Sequence, residues 1–430
     1  MQGLFIAMAL LAGCGGSGGG DSPSASPTPS SGAGPDPAAP ITPTGPVYYF
    51  ADCQAGATAG CTAGNNSNAG TSADAPKRDL TGFNVNTLPA GTQLLFKRGG
   101  AWNHSTVRVD NRNATVANPL IFDAYGSGAA PLLRVASNYG FEFGEWQNTA
   151  ADGGYMFRNL KLDGLGTGQW GFWLRGLLNG VVIESVELTG FAIAINAQGG
   201  DPISGITVRN SHIVRNRDMG VLGNYSDSVF EGNLFEANNF SGSGFNHGTY
   251  LSGHGAGARN IVLRNNRYIR NSVVNGTCTG GNMTFHGLLD NVLIEGNTIE
   301  QDAAAEGCWL MSITQGYTDP EGFTRFVVRN NKLVNGGNTG LAAQSAPGIL
   351  VEGNVVINTQ ATPQTAIAVG HTDYPNGDLA DGNAVVRNNT ACYPTPHANS
   401  GVTRVIAPSS TVTGNVMLTG AAAASGVCAR

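Results

Sequence analysis

Charged residues are scarce in this 430-residue chain. Only 12% of its residues are Asp, Glu, Lys or Arg, and the 29 acidic residues outnumber the 23 basic ones, which gives a formal net charge of -6. A protein that neutralises nucleic-acid phosphates needs clusters of Lys and Arg. The composition therefore argues against nucleic acid as a partner.

Long apolar runs are also scarce, and one of them lies at the N-terminus. Residues 4–13 form an apolar run of ten, which is too short to span a membrane as a helix and suits a signal-peptide core. The run ends in Leu11-Ala12-Gly13-Cys14, which resembles a bacterial lipobox, although Met1-Gln2-Gly3 carries no basic residue. The resemblance implies a signal peptide over residues 1–13 and lipidation of Cys14; an ordinary secretion signal with an incidental cysteine is the alternative.

The segment after the lipobox lacks the apolar residues that build a core. Residues 14–46 are rich in Gly and Ser, and then in Pro, Ser and Ala, which is typical of a disordered, partly extended linker. We expect this tether to hold a folded domain, residues 47–430, at the bacterial cell envelope. Gly15 after the cysteine resembles lipoproteins of the outer membrane, with the domain in the periplasm or outside the cell.

Glycine, by contrast, is abundant, and Asn-rich punctuation recurs along the chain. The 63 glycines and the frequent Asn, Ser and Thr fit a turn-rich, all-β protein. A short unit recurs in which an apolar residue is followed by two polar or small residues, usually Asn in fourth place, and apolar residues again. The copies are FRNLKL (Phe157), IESVEL (Ile183), VRNSHI (Val208), FEGNLF (Phe230), LRNNRY (Leu263), IEGNTI (Ile294), VRNNKL (Val328), VEGNVV (Val351), VRNNTA (Val386) and VTGNVM (Val412).

This repeat predicts the fold. Its copies begin 22 to 35 residues apart, a period typical of a solenoid and unlike helical or leucine-rich repeats. Strands of successive coils would pair, and Asn suits the turns because it tolerates left-handed backbone and can hydrogen-bond to the next Asn. We therefore predict an all-β, single-stranded right-handed parallel β-helix of about ten coils.

Together with the segment TLPAGTQLLFKRGGAW, Thr87 to Trp102, the repeat resembles the pectate-lyase-like β-helix superfamily over roughly Val47 to Val427. The resemblance implies a secreted protein that acts on polysaccharides. It is specific for the architecture and not for the activity.

Seven cysteines favour an oxidising compartment. We expect the six outside the lipobox to be structural. The candidate pairs are Cys53 with Cys61 around a Gly/Ala/Thr loop, Cys278 with Cys308 about one long coil apart, and Cys392 with Cys428 near the C-terminal end.

A second series of aligned segments lies upstream of the Asn turns, including GTYLSG (Gly248), GNMTFHG (Gly281) and GCWLMS (Gly307). Because side chains alternate in a strand, aligning these glycines predicts Leu251, Thr284 and Leu310 inside. It predicts Tyr250, Phe285 and Trp309 on an outward stripe, where aromatic rings suit stacking on sugars. Alternatively, loops inserted in the long coils cover these rings as a small core.

Histidine is rare, yet His247, Tyr250 and His254 fall within eight residues in a chain with seven histidines. His can act as base or acid and Tyr can protonate a leaving oxygen, a pairing that resembles several unrelated polysaccharide lyases. We predict His247 or His254 as the base and Tyr250 as the acid of a β-elimination on an acidic polysaccharide. The predicted substrate-binding residues are Trp309, Phe285, Ser252, His286, Arg270, Arg217 and Asp218, with the arginines neutralising a substrate carboxylate. Histidines can also serve as hydrogen-bonding ladders in the scaffold.

Two other functions stay open. Asp218, which aligns with His247 one coil earlier, and Glu231 are candidates for the paired carboxylates of a glycoside hydrolase. Gly253-His254-Gly255 resembles one motif of β-helix polygalacturonases, but their acidic motifs are absent upstream, as is the Tyr-x-x-Asp-Pro-His pattern of β-helix mannuronan epimerases. The other candidate is a non-catalytic polysaccharide-binding or surface-structural protein.

The sequence also bears on cofactors and assembly. The His and Cys spacings match no zinc-ligand pattern, so we expect no metal and no cofactor. Calcium held by loop oxygens is the alternative, since such a site needs no local motif. The expected partners are a polysaccharide and, through Cys14, a membrane, with the domain itself a monomer.

Overall fold

The computed structural model describes residues 43–144, 151–197, 203–302, 307–337, 339–360 and 362–429. Within these ranges the chain forms strands, turns and short 3-10 helices, and no α-helix. Strands stack in parallel from coil to coil, which confirms the predicted right-handed parallel β-helix. Cys14, the predicted signal peptide and most of the tether lie outside the described residues. No helix in the described ranges is long and apolar enough to cross a membrane.

Three parallel sheets run along the solenoid. Sheet 1 contains Val47–Phe50, Gln93–Lys97, Leu120–Tyr125, Asp152–Arg158, Leu178–Glu184, Ile203–Arg209, Tyr225–Ser226 with Ser228–Glu231, the second parts of His247–Arg264 and Gly280–Glu295, Gly322–Arg329, Leu350–Glu352, Val385–Arg387 and Thr411–Thr413. The ten repeat copies lie on its last ten coils, and three further strands precede them.

In each coil, the strand of sheet 2 follows the Asn turn, and the strand of sheet 3 comes last, before the next coil begins. Sheet 2 contains Ala101–Asn103, Leu132–Arg134, the first parts of Lys161–Trp173 and Glu187–Ala197, His212–Val214, Leu234–Glu236, Arg267–Ile269, Thr298–Glu300, Lys332–Val334, Val355–Ile357, Thr390–Tyr393 and Val416–Thr419. Sheet 3 contains Val107–Val109, Tyr139–Phe143, the second parts of Lys161–Trp173 and Glu187–Ala197, Met219–Gly223, the first parts of His247–Arg264 and Gly280–Glu295, Cys308–Ile313, Thr339–Ala343, Thr365–Val369 and Gly401–Val405.

The remaining elements are small. An antiparallel pair joins Val273–Val274 to Thr277–Cys278. The 3-10 helices are Val85–Thr87, Pro375–Gly377, Gly420–Ala424 and Gly426–Cys428. The three predicted disulfides, Cys53–Cys61, Cys278–Cys308 and Cys392–Cys428, are confirmed.

Asparagines in the fourth place of the repeat form a buried ladder at the turn between sheets 1 and 2. Each side-chain amide donates to the side-chain oxygen of the next Asn over 2.8–3.0 Å, through Asn233, Asn266, Asn297, Asn331, Asn354, Asn389 and Asn415. The left-handed backbone belongs instead to the third place, where φ is 51–66° from Asn159 to Gly414. Both the Asn-to-Asn hydrogen bond and the left-handed backbone were predicted for the same Asn. In the structure the hydrogen bond belongs to the fourth position and the left-handed backbone to the third.

The residue types in the second and third places of the repeat alternate from coil to coil. Arg and Glu take turns in second place and form ion pairs such as Glu231–Arg264 at 2.8 Å and Glu295–Arg329 at 2.6 Å. Asn and Gly take turns in third place in these coils, and a Cβ on Gly296 would lie 2.6 Å from Asn265 Oδ1. From Asn210 onward the Asn side chain of one coil therefore lies against a glycine on the next, whereas Asn159 is followed by Ser185.

The register of sheet 3 differs from the predicted alignment. Leu251 pairs with Phe285 and Tyr250 with Thr284, so this coil is shifted by one residue, which exchanges the two faces of the strand. Phe285 is 0% exposed and packs edge-on against Phe326 in the interior. The prediction that Phe285 faces outward is wrong, and so is the prediction that Thr284 faces inward.

Candidate functional site

A groove of about 850 Å³ lies along the outer surface of sheet 3. Its floor consists of outward side chains from four successive strands, Met219–Gly223, His247–Arg264, Gly280–Glu295 and Cys308–Ile313, and residues 314–319 form a wall. Six predicted site residues line it, namely His247, Tyr250, Ser252, His254, His286 and Trp309. Sequence reasoning therefore located most of the groove's reactive side chains.

His247 forms part of the floor and is 8% exposed. The backbone N–H of Gly281 donates to its Nδ1 over 2.9 Å, so the ring proton lies on Nε2. Burial, helped by the nearby His286, lowers the pKa of His247 to about 3. His247 is thus neutral, its Nδ1 lone pair is engaged by the Gly281 N–H, and its Nε2–H is available as a donor. Its predicted role as a base stays a prediction, and this geometry does not favour it.

The pKa of His247 predicts a pH dependence of stability. The unfolded chain, with the ordinary value of 6.5, takes up a proton as the pH falls from about 6.5 to 3, whereas folded His247 does not. Stability is therefore lost with decreasing pH in this window, by about 2 kcal/mol at pH 5. We expect the free energy of unfolding, measured by urea denaturation at pH 7.5 and 5.0, to fall by about 2 kcal/mol more in the wild type than in His247→Gln. Equal losses in the two proteins would contradict a buried, neutral His247.

Tyr250 belongs to a chain of hydroxyl groups. Its hydroxyl donates to the Tyr317 hydroxyl oxygen over 2.7 Å, and the Tyr317 hydroxyl lies 3.0 Å from Ser252 Oγ. Burial raises the pKa of Tyr250 most. The hydrogen bond to Tyr317 and electrostatic repulsion from ionised Tyr317 and Glu321 raise it further. The phenol is therefore protonated at neutral pH, and its proton is directed to the Tyr317 oxygen.

His286 is held by a buried carboxylate. Its Nδ1 lies 3.4 Å from Oε2 of Glu321, which is 0% exposed. Burial raises the pKa of Glu321, but hydrogen bonds from His286 and from the N–H groups of Gly287, Tyr317 and Gly316 outweigh burial and hold it below the ordinary value. An ionised Glu321 accepts a hydrogen bond from Nδ1–H, so the tautomer of the neutral His286 ring that fits this contact has its lone pair on Nε2. The ring centroids of His286 and Tyr250 lie 5.3 Å apart.

Glu321 and Tyr317 were missed by the sequence analysis. Both belong to residues 314–321, inserted between Cys308–Ile313 and Gly322–Arg329 in one of the long coils. The extra length of that coil indicated an inserted loop, but it did not identify which residues of the loop turn inward.

His254 lies at the mouth of the groove. Its side chain is 59% exposed, its Nδ1 lies 3.9 Å from Asp319 Oδ2, and its ring meets Tyr317 at 5.5 Å. Solvent reaches this ring freely, so the His254 side chain lies at the rim, while its backbone N–H donates to Ser252 Oγ over 3.3 Å.

The remaining predicted residues lie elsewhere. Arg217 pairs with Asp218 at 3.1 Å, and Arg270 pairs with Asp302. None of these side chains, and neither Glu231 nor Phe285, is among the described residues that line the groove. The arginines predicted to neutralise a substrate carboxylate and the carboxylates predicted for a hydrolase are therefore not brought to the groove.

No group of three or more His, Cys, Asp or Glu side chains within the described ranges is placed to hold a metal ion. The sequence matches no protein-family model and no curated protein.

Several solved structures resemble the chain. The A-module of the Azotobacter vinelandii mannuronan C-5 epimerase AlgE6 is 17% identical with a TM-score of 0.54, over 76% of this chain and 90% of that one. A rhamnogalacturonan lyase is 14% identical with a TM-score of 0.51, over 86% and 87%. The Streptococcus pneumoniae surface protein and adhesin PfbA is 13% identical with a TM-score of 0.50, over 76% and 91%. These likenesses show that the chain shares the right-handed parallel β-helix fold of these proteins.

Proposed function

We propose that the protein binds a polysaccharide in the groove on sheet 3 and cleaves it by β-elimination at a uronic acid residue. The observation that carries this proposal is the pairing of a protonated phenol, Tyr250, with a carboxylate-held imidazole, His286, at a ring separation of 5.3 Å. Similar structures that are named for mannuronan and rhamnogalacturonan support a polysaccharide as the ligand.

The reaction needs a base and an acid on neighbouring positions. In a uronic acid, the proton at C5 lies next to the carboxylate, and the glycosidic oxygen leaves from C4. His286 Nε2 would take the C5 proton, the electron pair would form the C4–C5 double bond, and the C4–O bond would break. Tyr250 would give its proton to the leaving oxygen. Glu321 stabilises the charged imidazole that results.

His247 has a different role in this mechanism. Negative charge develops on the substrate carboxyl group as the C5 proton leaves. A buried, neutral donor in a site with little water stabilises such charge more than an exposed donor does. The Nε2–H of His247 is suited to this task, because the Gly281 N–H fixes the tautomer.

Hydrolysis fits the groove less well. Paired carboxylates are needed to protonate the leaving group and to activate water or attack the sugar. Asp319 is the single Asp or Glu among the described lining residues, and Glu321 is buried behind His286. The groove therefore offers one accessible carboxylate, at its rim.

The product distinguishes the reactions. We expect the full chain, incubated with uronic-acid polysaccharides, to release unsaturated sugar ends that absorb in the near ultraviolet, in step with new reducing ends. New reducing ends without ultraviolet absorbance would show that the protein is a hydrolase and not a lyase. Binding without either product would leave a polysaccharide-binding protein.

A further inference from the structure

We propose that the groove accepts a mixed glycan, in which one uronic acid residue occupies the reaction centre and the sugars beside it are uncharged and stack on Phe245 and Trp309. This inference rests on the proposed function and narrows its substrate class. Three features carry it: two aromatic rings, one exposed and one half-buried, a set of neutral donors and the charge of the lining.

Phe245 is held in solvent by its loop. Its side chain is 88% exposed and lines the groove. The loop is braced by Asn239, whose amide donates to the carbonyls of Ser243 and Asn246 over 2.9 and 2.7 Å. A ring presented in this way has no packing role in the fold, and covering it with a ligand removes apolar surface from water.

Trp309 lies on the floor of the same groove. It pairs with Gly281, which in turn pairs with His247, so the indole follows the same column of sheet 3 as the buried donor. The preceding residue, Cys308, is joined to Cys278 and anchors this strand. Sugar rings have apolar C–H faces that suit aromatic side chains, so both rings fit uncharged pyranose units.

Much of the polar lining on the floor of the groove consists of uncharged side chains. Thr284, Ser312 and Gln344 contribute hydroxyl and amide groups, and His247 supplies one buried N–H. Such groups match sugar hydroxyls and a single carboxylate. They do not match a row of carboxylates or sulfates, for which charged partners would be required.

The charge of the groove supports the same conclusion. Its described lining contains no Lys or Arg, and its rim carries Asp319. The sequences of the internal segments outside the described ranges contain no Lys or Arg either. A homopolyuronate would bring a negative charge on every unit to this surface without complementary charge.

The test measures binding apart from catalysis. Full-length Tyr250→Phe is titrated with hyaluronan and a rhamnogalacturonan backbone, which alternate a uronic acid with a neutral sugar, and with polygalacturonate, polymannuronate and heparin. We expect an alternating chain to bind at least about tenfold more tightly than the homopolyuronates and heparin. We also expect its Kd to change less than about twofold between 50 and 300 mM NaCl, because the described lining contains no Lys or Arg whose attraction salt would screen.

The aromatic contacts are tested in the same titration. Phe245→Ala, made at an exposed position where folding is unaffected, should weaken binding about tenfold, as the loss of a buried phenyl ring implies. Phe240→Ala is the matched control, because Phe240 is 45% exposed and not among the residues lining the groove. Trp309→Phe should weaken binding by a smaller factor than Phe245→Ala, because it keeps a ring at that position.

The two proposals fail separately. Tighter, salt-sensitive binding of a homopolyuronate, or no binding of either alternating chain, would overturn the mixed-glycan inference. An alternating chain that binds to Tyr250→Phe but yields no unsaturated ends with the wild type would sustain this inference and overturn β-elimination.

Discussion

Replacing Tyr250 by Phe should lower kcat by about 10²–10⁴-fold, the range typical of losing a general acid, and leave KM within about threefold. The substitution removes the proton for the leaving oxygen and keeps the ring that packs beside His247 and His286. Initial rates of ultraviolet absorbance on a cleaved polysaccharide measure both constants.

The matched control for this change is Tyr139→Phe. Tyr139 lies on the same sheet, stacks on Trp170 at 4.9 Å and is not among the described residues of the groove. It should retain wild-type kinetics. A Tyr250→Phe enzyme with nearly full kcat would remove Tyr250 from the chemistry and direct attention to Tyr317, the other phenol of the hydroxyl chain.

The second large effect concerns the base. We expect His286→Gln to lower kcat by about 10²–10⁴-fold, since the Gln side chain cannot accept the C5 proton. Glu321→Gln should lower kcat by a smaller factor, about 10–100-fold, because the imidazole survives while its orientation and its positive charge in the transition state lose support. Both kcat and KM are obtained from the ultraviolet assay.

The double variant separates positioning from structure. If Glu321 acts through His286, adding Glu321→Gln to His286→Gln should cost almost nothing further, because the two residues act as a unit. Glu231→Gln, which alters the Glu231–Arg264 ion pair on sheet 1, should leave kcat unchanged. If kcat fell severely in His254→Gln and only mildly in His286→Gln, His254 at the rim of the groove would be the base instead.

The scaffold was predictable because it repeats. Apolar positions recur in every coil and Asn in most of them, so errors in one copy are corrected by the others. The Asn ladder follows from that pattern, and the coil spacing also favoured the pair Cys278 and Cys308. Sheet 3 offers less information, because glycines can be aligned in more than one way. A shift of one residue was enough to turn Phe285 outward and Thr284 inward in the prediction.

The site was predictable only in part for a related reason. His247, Tyr250 and His286 lie on repeating strands, where the register brings them near each other. Glu321 and Tyr317 lie in an insertion with no repeat to position them, and the protonation of His247 depends on a backbone N–H from the next coil. Arg217 and Arg270 belong to coils close to those of the groove. The coil number gives a residue's position along the solenoid axis, but not the side of the solenoid that the residue faces.

The alternating Arg-Asn and Glu-Gly coils constrain how this chain can lengthen or shorten over evolution. Losing one such coil would set Arg against Arg or Glu against Glu, and would bring two Asn side chains, or two glycines, to adjacent turns. Losing two coils restores every pairing. Coils should therefore be duplicated or lost in even numbers, and relatives of different length should differ by pairs of coils.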